Sequence, residues 1–160
     1  MIRFFVLIPI FFFSSASSLE IKCAFEEVYS DGSIQNGYFL IKDEKLRYEY
    51  DSQNLFTLFH NHDQFFFVKN NDKEVINRVS ENTEIIEELI SIASRYPDIK
   101  KDYISEDLIV KLEKNSSGNF VKRISIISPQ VKMSIYLNDC QNVLINDRFF
   151  NHNPFFEYKF

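Results

Sequence analysis

The 160-residue sequence has no tryptophan, three glycines, four prolines and two cysteines. Three glycines leave little room for a phosphate-cradling loop, and neither G-x-x-x-x-G-K nor G-x-G-x-x-G occurs. The G-x-S-x-G turn that exposes a hydrolase serine is missing too, and neither cysteine has a histidine near it in sequence. The formal charge is −5, and lysines are scattered among glutamates without a basic patch, which excludes nucleic acid as a partner. Histidines number three. His60 and His62 beside Asp63 have a metal-like spacing, but "HNHDQ" falls where a hairpin turn belongs, and the remaining His152 lies in the tail. The carboxylate pairs Glu26–Glu27 and Glu87–Glu88 read as solvated faces, and Asn115-Ser116-Ser117 reads as turn chemistry rather than a glycan acceptor. The expectation is a protein that is not an enzyme and uses neither cofactor nor metal.

What the chain does have is phenylalanine, 18 residues of it, and a leader. "MIRFFVLIPIFFFSSASS" carries one arginine, an apolar run of about ten residues, then small residues, the layout of a secretory signal peptide. Ala16 and Ser18 suit the cleavage positions, leaving a mature chain of Leu19 to Phe160. A lipoprotein precursor would need a small residue before Cys23, and Lys22 stands there. In an oxidising compartment an even cysteine count favours one disulfide, Cys23–Cys140; the alternative is two buried thiols.

Periodicity then divides the mature chain. "LEIKCAFEEVYS" alternates, with Ile21, Cys23 and Phe25 on one face. "IQNGYFLIKD" and "KLRYEYD" make a hairpin through "DEK", with Leu46, Tyr48 and Tyr50 on one face and Arg47 and Glu49 on the other. Strands follow at "NLFTLFH", "FFFVKN" and "EVINRV". "TEIIEELISIASRYP" changes period: Ile85, Ile86, Leu89, Ile90 and Ala93 recur at helical spacing over 83–96, with Thr83 or Asn82 as cap and Pro97 as stop. Strands resume at "DLIVKLEK", "NFVKRISIIS" and "QVKMSIYL", and "NDCQ" is read as a turn into a last strand, "NVLIND". The picture is a meander of about nine antiparallel strands with one inserted helix. Tyr38, Phe39, Leu40 and Ile41 run together, so that strand needs a cover on both faces; the helix and the Phe-rich tail are the candidates.

The order of these segments resembles the LolA family, periplasmic carriers that take lipoproteins from the inner to the outer membrane of Gram-negative bacteria. "FEEVYSDGSIQNGYFLIKDEKLRYEY" is similar to that family's opening, a strand of F-x-Q type and then G-x-(apolar)₃-K. "NLFTLFHNHDQFFFVKNNDKEVINRV", "VKMSIYLNDCQNVLIND" and "NHNPFFEYKF" resemble its later hairpins and close. The likeness implies a mainly β domain over 19–160, an incomplete antiparallel barrel formed by a curved meander sheet and covered by the helix. It implies a monomeric, cofactor-free periplasmic protein that holds the acyl chains of lipoproteins in an apolar cavity. Its partners would be an inner-membrane lipoprotein-releasing transporter and an outer-membrane acceptor. The alternative is a periplasmic β-domain that binds another apolar ligand or a protein. The cavity set from the sheet is Phe39, Ile41, Leu46, Tyr48 and Tyr50, then Phe65 and Phe67, then Met133, Ile135 and Leu137. The helix adds Ile86, Leu89, Ile90 and Ala93, and no conspicuous charged group joins them. Departures from the family pattern are clear. A leading helix is missing, and Lys42, Asp43 and Glu44 stand where an Arg-Pro follows the G-x-(apolar)₃-K strand, so that arginine's role does not carry over and Lys42 is a weak substitute. Asn142 stands where a late-turn glycine is expected.

Overall fold

The computed structural model describes residues 20–61, 64–74, 76–79, 83–96, 98–118 and 120–151. The expected signal peptide, Asn82, Pro97, the His62–Asp63 tip and the tail from His152 lie outside them. Among the described residues ten strands form a single antiparallel sheet: β1 (Glu20–Tyr29), β2 (Ile34–Lys42), β3 (Lys45–Tyr50), β4 (Phe56–Asn61), β5 (Gln64–Lys69), β6 (Ile76–Val79), β7 (Asp102–Ile104), β8 (Ile109–Lys114), β9 (Val121–Ile127) and β10 (Lys132–Asn142). Their spatial order is β6-β5-β4-β3-β2-β1-β10-β9-β8-β7. Two meanders, β1–β6 and β7–β10, therefore meet where β1 pairs with β10, and β6 and β7 are the two ends of the sheet. Among the described residues the sheet is not closed into a barrel. Helix α1 (Glu84–Ser94) connects those two ends in the chain, where the change of period puts it.

Two local expectations are corrected. "NDCQ" does not reverse the chain, and "NVLIND" is not a strand. β10 continues to Asn142, and 143–146 run irregularly into a 3-10 turn at Asp147–Phe150. The turn-forming residues make a bulge instead: Asp139 and Cys140 together oppose Cys23, and Asp139 takes a left-handed φ of 52°, which Asp tolerates better than most residues. Asn142 is therefore the end of a strand, and the left-handed position near it is Asp139. The short β7 also had no sequence signal, since "DYI" alternates over too few residues to register. At the head of α1, Thr83 makes no cap bond to the backbone; its hydroxyl donates to the Glu87 carboxylate at 2.6 Å.

Cys23 and Cys140 form a disulfide, with Cα atoms 4.1 Å apart. Cys140 lies within β10 rather than in a hairpin turn, so the bond crosses the seam between the two meanders at the bulge. No helix among the described residues is long and apolar enough to cross a membrane.

β2 has two apolar faces, and each is covered. Phe39 is buried inward with Cys23, Phe25 and Leu46. Leu40, with 0% exposure, points the other way and packs under Ile145 and Phe150. Polar side chains fasten that outer cover. Lys42 Nζ donates to the Ile145 carbonyl at 2.8 Å, Lys45 pairs with Asp147 at 2.9 Å, and Arg47 donates to the Phe149 carbonyl at 3.2 Å. Lys42 thus holds the C-terminal segment to the sheet.

Candidate functional site

Strand register carries the inner face from one strand to the next. Cys23, Phe39, Tyr48, Leu58 and Phe67 form one cross-strand row, and Ile21, Ile41 and Leu46 form the row beside it. On the other side of the seam, Ile135 sits between Glu27 and Ile124, and Met133 between Tyr29 and Ile126. Cross-strand neighbours on one face stand about 5 Å apart, so these rows make a continuous apolar floor. Ile85, Ile86, Leu89 and Ile90 of α1 pack onto it.

Between floor and helix lies a cavity of about 270 Å³. All the expected residues but one line it: Phe39, Ile41, Leu46, Tyr48, Tyr50 and Phe67 from the first meander, Met133, Ile135 and Leu137 from the second, and Ile86, Leu89, Ile90 and Ala93 from α1. Phe65 is the exception. It is buried on the inner face, but its ring packs at 4.5 Å on His60 and fills the sheet there without reaching the cavity. His60 is itself committed, with Nδ1 2.7 Å from the Glu44 carbonyl oxygen. Among the described residues no group of three or more His, Cys, Asp or Glu side chains could hold a metal ion.

Glu27 corrects the reading of that carboxylate as part of a solvated face, and with it the expectation of a site without a charged group. It is 2% exposed and lines the cavity. Its Oε1 accepts hydrogen bonds from Tyr48 at 2.7 Å and Tyr50 at 3.1 Å; its Oε2 accepts from Tyr29 at 2.7 Å and Tyr50 at 3.0 Å. Among the described residues no cation pairs with it. Burial, and then the neighbouring Glu27, push the Tyr29 phenol up to about 12 and those of Tyr48 and Tyr50 well above the usual tyrosine range. The sequence does carry a signal for Glu27. The inward alternation of Ile21, Cys23 and Phe25, continued one step, reaches it. Glu26, the outward member of the pair, is only half-buried.

Aromatic packing shapes this end. The Phe25 ring stacks on Tyr48 at 4.1 Å and meets Tyr50 edge-on at 5.5 Å. Gly37, opposite both Phe25 and Tyr50 in the ladder, makes room for them. A Cβ there would lie 2.0 Å from the Glu49 carbonyl oxygen and 2.5 Å from Phe25 Cζ. The apparent motif glycine is thus a packing requirement of the cavity floor. Searches against models of known protein families and against curated proteins find no match.

Proposed function

We propose that this domain is an exported carrier that encloses acyl chains between its sheet and α1, in the manner of the LolA family, and shuttles lipoproteins across the periplasm. The observation that carries the reading is the cavity itself. Aliphatic side chains from α1 and both meanders surround it, and three of its tyrosines are gathered around Glu27. Each buried methylene is worth about 0.8 kcal/mol, so six would contribute roughly 5 kcal/mol without any polar contact. The Cys23–Cys140 disulfide suits an oxidising compartment such as the periplasm.

A neutral fluorescent acyl probe tests the reading. The purified protein is expected to bind it, and Leu89→Asp, which places a carboxylate on the helix side of the cavity, is expected to weaken binding at least about tenfold while the β-sheet circular dichroism is kept. Native mass spectrometry of the exported protein is expected to show co-purified acylated species. A wild-type protein that binds no probe and carries no acylated species overturns the carrier.

A further inference from the structure

Glu27 is the one feature of the cavity that a purely apolar ligand leaves unexplained. Moving a carboxylate out of water costs several kcal/mol, and here three phenol hydrogens, with no cation among the described residues, offset that cost. A buried carboxylate that converges with three phenols on the wall of an apolar cavity is the kind of polar group that orients a ligand.

We infer that the Glu27–Tyr29–Tyr48–Tyr50 cluster is the headgroup pole of the cavity and selects amphiphiles that carry a primary ammonium. The inference rests on the carrier reading and names its ligand class. The chemistry follows from counting donors. Each tyrosine has one hydroxyl hydrogen, and all three are already given to Glu27. What the cluster can still offer a ligand is acceptor lone pairs on three phenol oxygens, with a carboxylate behind them. An ammonium brings three donors and a positive charge, and it supplies the counter-charge that Glu27 lacks. A carboxylate head would find no free donor in the cluster and would meet a like charge in a low-dielectric wall.

The cluster's place suits a head and a tail. Glu27 and Tyr29 stand at the C-terminal end of β1, beside Ile135 and Met133. The wholly apolar row of Ile21, Ile41 and Leu46 lies at the other end of the same strands. Ile21 and Glu27 are six strand steps apart, about 20 Å at the usual rise. An extended chain lying along β1 would therefore have its polar end at Glu27 and its apolar end among aliphatic side chains.

Two kinds of molecule carry this head: a lipid with a free amine, and an acylated peptide with a free amino terminus. The test is displacement of the neutral acyl probe from the full protein by dodecylammonium, dodecanol and dodecanoate. Dodecylammonium is expected to compete at a concentration at least about tenfold below dodecanoate, with dodecanol between them. Glu27→Gln is expected to remove the difference between dodecylammonium and dodecanoate. Phosphatidylethanolamine against its N-acylated form, and a diacylated peptide with a free amino terminus against its N-acylated form, then separate the two sources. Preference for the free amine in either pair supports the inference and names its source. Equal competition by dodecylammonium and dodecanoate in the wild type overturns it without needing any variant to fold, as does equal competition within both pairs, while probe binding still upholds the carrier. No probe binding at all overturns both.

Discussion

The seam between β1 and β10 is where the fold should be most sensitive to a covalent change. Among the described residues it is the only strand pairing that joins the two meanders, and its ladder is broken by the bulge opposite Cys23. The disulfide spans that bulge and links positions separated by 117 residues. For a loop of that size the chain-entropy expression gives roughly 16 cal/mol/K, or about 5 kcal/mol at room temperature. That equals a third or more of the total stability of an ordinary domain, about 5–15 kcal/mol. Replacing both cysteines by alanine is the cleaner perturbation, because a lone thiol would invite intermolecular exchange. With a urea slope of about 2 kcal/mol/M, the midpoint is expected to fall by about 2.5 M. Wild-type protein under strong reductant should reproduce the variant. A midpoint shift equivalent to less than about 1 kcal/mol would refute the reasoning, since the seam would then hold by its ladder and side-chain packing alone.

Two further outcomes are expected. Gly37→Ala should cost about 1–3 kcal/mol or more, read as a lowered thermal midpoint, because the new methyl collides with the Glu49 carbonyl as well as the movable Phe25 ring; an unchanged midpoint would mean that β2 and β3 part easily. The stability due to the buried phenols should be complete below pH 10, the ordinary tyrosine value, and should fall as pH rises from there towards about 12, where Tyr29 ionises in the folded state, with Tyr48 and Tyr50 ionising higher still. The sign follows because the unfolded chain sheds these protons first. Tyrosinate absorbance followed alongside circular dichroism checks it, and ionisation of all three phenols near pH 10 with the fold intact would contradict it.

Where a local rule decides the structure, the sequence was a good guide. Leu46, Tyr48 and Tyr50 alternate inward as their period requires, and Leu40 needed an outer cover that Ile145 and Phe150 supply. The helical spacing of Ile86, Leu89, Ile90 and Ala93 puts all four on the cavity. What the sequence hid was decided by long-range partners. Glu27 has an inward period but an outward chemistry, and local reasoning followed the chemistry. Two of the three tyrosines that satisfy its carboxylate inside the fold lie 21 and 23 residues away. At "NDCQ" the same residues suit a turn or a bulge, and pairing with β1, more than a hundred residues distant, selects the bulge. Phe65 has the expected face but lies beyond the cavity along its cross-strand row, packed on His60.

The two apolar layers on either side of β2 invite a comparison that bears on function. The outer layer is small, and it is pinned at its edges by Lys42, Lys45 and Arg47. Had selection acted only on stability, the inner layer could have been filled in the same way with larger side chains. Instead it leaves a partly open pocket of about 270 Å³. A buried carboxylate stands in its wall, its desolvation offset by three phenol hydrogens. Both fall at one place, between the sheet and α1. A ligand that fills the pocket with methylenes and answers Glu27 with an ammonium uses both features at once, whereas a cargo-free scaffold uses neither. That asymmetry favours a carrier whose stability rises when loaded, by RT ln(1 + [L]/Kd) for each ligand bound. Dodecylammonium should accordingly raise the thermal midpoint of the wild type more than that of Glu27→Gln.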